Sequence, residues 1–422
     1  MAEELTSTSP ASKEHLSIES GEMLGLDEIE EIEARTYRVM EQLRDVVFAP
    51  DRTKRLERRF KIAEAAAMVG RTTQAIRSAE EDGRLPPPVI GAKNRREPYT
   101  LEAINKMREL FDTLPWRQDD EEAVVLPIQN FKGGVGKSTT GCHLAQYLAL
   151  KGYRVCIIDC DPQATTTTMF GINPDYDIDE DNTLLPYLMH AGESTLEYAL
   201  RDTHWPGIKL IPANLDLYNV EYILAAKVHN DSNVINRLRD GIDSIKHQFD
   251  VILIDPPPAL GMISLSVLRA ANALVVPIPP ATPDFSSSAH FFSMLKENLA
   301  VLEERGMRAE FKFLKILITK MVERKVVQKE ISETMLDALG NRVISKFLKD
   351  SAAIDNASAS LLTVYELTTD HLKKHGEDPP IVSRDAYQRC MAYLNGVNEE
   401  IELLIRKTWP SHRHALRKEG LV

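Results

Sequence analysis

A chain of 422 residues exceeds one ordinary domain, and with 43% hydrophobic residues it can bury a sizeable core, so two or three domains are expected. The net charge of −12 excludes a uniformly basic nucleic-acid binder, yet the charge is uneven: residues 1–35 carry 10 acidic and 2 basic side chains, net −8, and residues 51–117 carry 15 basic and 10 acidic, net +5. The four cysteines have neither zinc-site spacing nor a disulfide framework, and no apolar run reaches membrane-spanning length. With an acidic, polar start in place of a basic-then-apolar leader, the expectation is a soluble cytoplasmic protein.

In chain order, residues 1–20 are rich in Ser, Thr and Glu and are expected to be disordered. Across 21–50 a helical period (Ile29, Ile32, Tyr37, Met40, Leu43, Val46) predicts a solitary helix, covered by a partner or a symmetry mate. Residues 51–114 read as a small domain. Within "KIAEAAAMVGRTTQAIRSAEED" (Lys61–Asp82), Ala66, Gly70 and Ile76 have the small–glycine–apolar spacing of a helix-turn-helix. The alanine lets two helices approach, Gly70 takes the left-handed turn, and Ile76 locks the second helix down. Thr72 would cap that helix, and its outward side chains would include Thr73, Gln74 and Arg77. "GAKNRREPYT" (Gly91–Thr100) reads as a basic wing carrying Arg95 and Arg96, ahead of the helix "LEAINKMRELF". A helical hairpin with surface arginines is the plainer alternative. Residues 115–122, "PWRQDDEE", make a linker.

Over residues 123–422 short β-branched runs alternate with helical ones: "VVLPIQN", "YRVCIIDC", "IKLIPAN", "DVILIDPP", "ALVVPIPP", Phe313–Thr319 and "NRVIS". Continuous apolar strands between helices predict an α/β domain with a parallel sheet, its ligand beyond the C-terminal strand ends, and the glycine-rich loop after its first strand makes it a P-loop NTPase domain. Pro127 is awkward inside the first strand. Arg384–Lys407 predicts one long helix packed back on the domain.

Between the first strand and its helix lies Gly133-Gly134-Val135-Gly136-Lys137-Ser138-Thr139, a glycine-rich turn whose N–H groups can point at phosphate. Lys137 would reach the β and γ phosphates of ATP, and the Ser138 hydroxyl would ligate Mg²⁺. Two features depart from the usual loop: Phe131 stands where a glycine is expected, and Lys132 is an additional lysine.

"KGGVGKST" (Lys132–Thr139) resembles the deviant Walker A motif of the ParA/MinD ATPases. The resemblance implies that Lys132 crosses a homodimer interface to the nucleotide of the partner, so that dimerisation depends on ATP. "CIIDCDPQATTT" (Cys156–Thr167) resembles the family's next motif, with Asp161 orienting the attacking water and Asp159 near the metal. "DVILIDPPP" (Asp250–Pro258) resembles Walker B, in which Asp255 holds the Mg²⁺ shell. For adenine, Lys320, Met321 and the loop Pro279–Phe285 are candidates. With a helix-turn-helix beside the ATPase, the chain resembles the large ParA proteins of plasmid and secondary-chromosome segregation, including the RepA partner of RepABC-type replicons. That implies a weak ATP hydrolase stimulated by a ParB-type centromere-binding partner, repression of its own operon, and nucleoid association through non-specific DNA binding by the ATP/Mg²⁺ dimer. Arg324, Lys325, Lys329, Lys346 and Lys349 are candidates for that last contact. A MinD-like membrane ATPase is one alternative, but "WPSHRHALRKEGLV" has too few spaced apolar residues for an anchor. A helix-turn-helix regulator that uses ATP as a switch is the other.

Overall fold

The computed structural model describes residues 25–47, 54–189, 193–228, 231–307, 309–374 and 379–421. They belong to two units, Met1–Thr53 and Lys54–Val422. The expected disordered tail, 1–20, lies outside the described residues. In the first unit α1 (Leu26–Val47) forms as the periodicity predicts, and Leu26, Ile29, Ile32, Tyr37 and Val39 are all exposed.

The second unit opens with α2 (Ile62–Val69) and α3 (Thr73–Glu81). Gly70 ends α2 in the left-handed region at φ 68°, and the Thr72 hydroxyl caps α3 by accepting from Ala75 N at 3.1 Å. Ala66 and Ile76 are buried between the helices. A hairpin of β1 (Ile90–Gly91) and β2 (Arg95–Arg96) turns through Lys93 and Asn94, both at positive φ. α4 (Leu101–Phe111) follows, capped by Thr100. Two short helices joined at Gly70, a two-stranded hairpin and a third helix thus follow one another in this segment.

Residues 115–122 connect this domain to the next; most are exposed, but Trp116 and Arg117 tie the segment down. Trp116 Nε1 donates to Gly152 O at 2.9 Å, and the Arg117 guanidinium donates to Phe249 O and Lys246 O, each at 3.0 Å. The buried Arg108 of α4 adds a second attachment, reaching the last carbonyls of two helices at Met68 O and Leu150 O. A guanidinium at two helix C-termini meets orphan acceptors there and complements both dipoles.

The main domain runs β3 (Val124–Pro127), α5 (Lys137–Lys151), β4 (Val155–Asp159), α6 (Thr165–Met169), α7 (Leu185–Met189), β5 (Arg201–Asp202), β6 (Ile208–Ile211), α8 (Leu217–Lys227), α9 (Arg237–Ile245), β7 (Val251–Asp255), α10 (Met262–Ala270), β8 (Leu274–Ile278), α11 (Thr282–Glu304), β9 (Leu314–Ile318), α12 (Val326–Leu339), α13 (Ala352–Ala359), α14 (Arg384–Thr408) and α15 (Pro410–Lys418). Strands β6, β4, β7 and β3 are parallel neighbours in that order, with the two-residue β5 antiparallel at the edge of β6. β8 and β9 form a separate parallel pair. The expected strand "NRVIS" reduces to a single bridge between Val343 and Ile316.

Pro127 explains why the sheet falls into two pieces. Along β3, Val124 N and Ile128 N donate toward β7, to Asp250 O and Ile254 O, while Gln129 N donates the other way, to Val275 O of β8. The missing N–H of Pro127 therefore falls on the β8 side. Pro277 of β8 faces the same seam, because its carbonyl accepts from Asn130 Nδ2 at 2.7 Å. Among the described residues, two absent donors leave the Ile128–Val275 bridge and isolated hydrogen bonds, such as that from Ala273 N to Val125 O, across the seam.

Helices cover both faces of the sheet, and the strand residues are almost wholly buried. α14 lays Cys390, Leu394, Val397, Ile401 and Ile405 on this core at helical spacing, extending one residue past the expected helix. Trp409 and Leu416 of the following segment are also fully buried, so these apolar residues face the protein. All four cysteines are buried, and burial raises each thiol pKa, as fits small core residues.

Candidate nucleotide site

β3 delivers the chain to the site, and α5 begins on the far side of the loop at Lys137. Between them Gly134 and Gly136 take φ of 71° and 93°, a conformation that only glycine adopts readily. A Cβ at Gly134 would meet nothing within 4 Å, so the space above the loop is open. The loop is braced at three points. Asn130 Oδ1 accepts from Lys132 N at 3.0 Å, and Thr319 at the end of β9 donates its hydroxyl to Val135 O at 2.8 Å. Phe131, in the place of the usual glycine, packs its ring against Phe291 of α11, centroids 4.8 Å apart.

Lys137 is buried and turned inward, with Nζ donating to Lys132 O at 3.3 Å. Burial lowers its pKa, against the pull of Asp255 and Asp161. Those carboxylates come from neighbouring strands: β4 and β7 are in register, with Asp159 opposite Asp255. Asp161 is buried two residues beyond β4, its Oδ1 accepting from Gln163 N at 3.0 Å, and burial raises its pKa while Lys137 lowers it. The structure thus brings Lys137, Ser138, Asp161 and Asp255 together from three segments.

Asp255 and Asp159 are both fully buried, but they are not equivalent. Burial raises the Asp255 carboxyl to about 6, with hydrogen bonds from Ser138 and Thr166 pulling the other way. Its Oδ2 accepts from Thr166 Oγ1 at 2.7 Å, while Oδ1 has no hydrogen-bond partner. Asp159 has both oxygens engaged: Oδ2 by the Thr167 amide and hydroxyl, at 2.9 and 2.8 Å, and Oδ1 by Asp161 N at 3.2 Å. The expectation that Asp159 belongs to the metal set is corrected accordingly. It braces the turn that carries Asp161, whereas Asp255, which Ser138 and Thr166 hydrogen-bond, keeps one buried oxygen without a partner. One hydroxyl and one open carboxylate oxygen fit Mg²⁺, which keeps most of its waters and needs no cage of protein ligands. No cluster of three or more His, Cys, Asp or Glu residues suited to a metal occurs among the described residues.

The adenine candidates divide. Lys320 is exposed in a left-handed turn after β9, but Met321 is buried in the core against β8 and β9, so its side chain is not presented to a ligand. Of the DNA candidates, Gln74, Arg77 and Arg95 are exposed and Thr73 is half-buried. Arg96 turns inward to Glu80, Nη1 to Oε2 at 2.6 Å, and also meets Tyr99 OH. It is an anchor of the wing, which corrects its expected place on phosphate. Arg324, Lys325 and Lys346 are exposed, and Lys329 reaches Glu333 at 3.9 Å. Lys349 pairs with Glu323 and lies 4.0 Å over the Tyr393 ring, which takes it out of that set.

Comparison with known proteins agrees with this geometry. A family model described as an AAA domain matches residues 123–300. Protein SopA of Escherichia coli (strain K12) is 34% identical over 367 residues, 84% of this chain and 91% of its own length. A putative replication protein A of Rhizobium rhizogenes is 32% identical over 377 residues, covering 86% of this chain and 90% of that one. The chain belongs to the ParA-type partition ATPases. The chromosome partitioning protein ParA of Caulobacter vibrioides (strain NA1000 / CB15N), 30% identical, matches this ParA-type chain over 239 residues, 55% of it and 83% of its own length. A solved structure titled Partition Protein shares the fold at a TM-score of 0.59 and 21% identity, covering 76% of this chain and 91% of that one. As a ParA-type protein the chain is an ATP hydrolase that acts in DNA partition. The residues missed in the sequence are Asn130, Thr166, Thr167 and Thr319, hydroxyls and amides that seat the named groups. Only the run Thr165–Thr168, one helical turn after Asp161, offered a local sign of two of them.

Proposed function

We propose that this ATPase dimerises on ATP, binds non-specific DNA as the dimer, and reads its own operator through the helix-turn-helix. Lys137 holds the β and γ phosphates from within the subunit, and Lys132 supplies charge to the nucleotide of the partner. Ser138 and Asp255 hold Mg²⁺, which when bound neutralises phosphate charge. Asp161 accepts from the attacking water and orients it; its own place is fixed by Asp159 through the Asp161 amide. Catalysis is then mainly positioning and charge neutralisation, so no strong base is required. The observation that carries the reading is the meeting of Lys137, Ser138, Asp161 and Asp255 over the P-loop, in a chain that also pairs two short helices at Gly70 beside a basic hairpin.

Gln74 and Arg77 are assigned to base edges in the major groove, and Arg95 to a phosphate. Arg324, Lys325 and Lys346 serve the non-specific contact. A ParB-type centromere-binding protein is the partner that stimulates hydrolysis, and the protein works on the nucleoid in the cytoplasm. Binding to operator and scrambled duplexes, each without nucleotide, with ADP and with ATP, tests this reading. Scrambled-DNA binding should require ATP and fall steeply with salt, and operator preference should persist in ADP. Scrambled-DNA binding that is the same without nucleotide would overturn the proposal.

A further inference from the structure

Two loops surround the aspartates of the site, and helix α8 touches both. The first is the turn after β4: Asp161 Oδ1 accepts from Gln163 N, and Gln163 Nε2 donates to Tyr218 OH of α8 at 2.8 Å. The second, residues 256–261, follows Asp255 and ends where α10 begins. The first turn of α10 has no capping side chain of its own, since its N-cap is Gly261. Glu221 of α8, three residues after Tyr218, fills that role from outside. One carboxylate oxygen accepts from Met262 N and the other from Ile263 N, the latter at 3.1 Å. A carboxylate on two orphan N–H groups at a helix N-terminus is favourable in hydrogen bonding and in dipole sense. The fit is close on the glycine side as well: a Cβ at Gly261 would overlap the Glu221 carboxylate.

We propose that Glu221 is a positioning residue for ATP hydrolysis. It sets the end of the loop that leaves Asp255, while Tyr218 on the same helix holds the turn that carries Asp161. A shift of α8 therefore moves both loops together. Glu221 acts through these loops, and the inference rests on the reading of Asp161 and Asp255 given above. A misplacement of about 1 Å at a reacting group costs on the order of 100-fold in rate, so loss of the clamp should appear in kcat.

The test is intrinsic ATPase kinetics of the full chain with Glu221→Ala, Gly261→Ala and the double variant, beside nucleotide affinity and the thermal midpoint of each. Glu221→Ala should lower kcat roughly 10- to 100-fold with ATP affinity nearly unchanged. Gly261→Ala should do the same, because its methyl group displaces the carboxylate. The double variant should be no slower than Glu221→Ala alone, since the colliding partner has gone. Glu221→Asp should recover part of the rate. Additive losses in the double variant would overturn the pairing, and wild-type kcat in both single variants would overturn the positioning role. Should Glu221→Ala fail to fold, Gly261→Ala and Glu221→Asp decide the matter by the same kcat readout. Asp161→Ala run in parallel separates the two levels. If it hydrolyses normally, the reading of the site has failed; if it is inactive while both clamp variants are normal, the clamp alone has failed.

Discussion

Asp161 carries the sharpest prediction for a single residue. Its side chain meets Gln163 N and lies within the field of Lys137, while the buried carboxylate oxygen without a partner belongs to Asp255. Asp161→Ala should therefore bind ATP and dimerise normally, yet hydrolyse about 100-fold more slowly, because the water loses its guide. Single-turnover hydrolysis beside equilibrium nucleotide binding checks this, and failure to bind ATP would make Asp161 structural. The P-loop was legible because its chemistry is local: three glycines, two lysines and a serine within seven residues. The Thr166 bond to Asp255 was not, because it joins residues 89 apart and depends on which way a short helix turns. Nor could the sequence rank Asp159 against Asp255, since each ends an apolar strand and only the fold shows which oxygen is left open.

At the level of elements, the wing separates two neighbouring arginines. Arg96 supports Glu80, whose side chain is only 2% exposed, with Tyr99 OH as a second donor at 2.7 Å. Arg96→Ala should cost about 2 kcal/mol, a buried-pair penalty moderated by the remaining tyrosine. Arg95→Ala should leave stability within about 0.5 kcal/mol and weaken DNA binding evenly across sequences, with a shallower salt dependence. Gln74→Ala or Arg77→Ala should instead lose about 1–3 kcal/mol of operator preference. Thermal unfolding with salt titrations on operator and scrambled duplexes reads all four. The pair of helices α2 and α3 was legible because Gly70, Thr72 and Ile76 act on adjacent turns. The inward course of Arg96 was not, for Glu80 lies 16 residues back and both arginines read alike in a basic run. "NRVIS" misled for a similar reason: its apolar residues pack at a sheet edge, and a single bridge suffices to hold them.

Across the whole of the second unit, the two domains fold as one body. Lys54, just ahead of the segment that carries α2 to α4, pairs with buried Glu366 of the ATPase domain at 3.1 Å, and His204 shares the carboxylate. Burial alone would raise the Glu366 pKa, but the bond with His204 and the charge of Lys54 bring it down to about 2. A carboxyl held below its unfolded value stabilises the fold at neutral pH, and that contribution fades as pH falls through about 4.5 toward 2. The shift corresponds to about 3 kcal/mol, so Glu366→Gln should unfold more easily by that order at pH 7, with the gap closing between pH 4.5 and 2. Urea titrations over that range measure it. This join was invisible in sequence, where residues 51–114 and 123–422 read as domains with only a linker between them. The α/β plan was plain from its apolar runs, as was the family from three motifs in order. The central claim is that the two P-loop lysines serve different subunits, and light scattering of the wild type, Lys132→Ala and Lys137→Ala with ADP and with ATP tests it most directly. Lys137→Ala should lose ATP binding altogether, whereas Lys132→Ala should bind ATP and show no ATP-dependent rise in mass. An ATP-induced dimer of Lys132→Ala equal to that of the wild type would contradict the account.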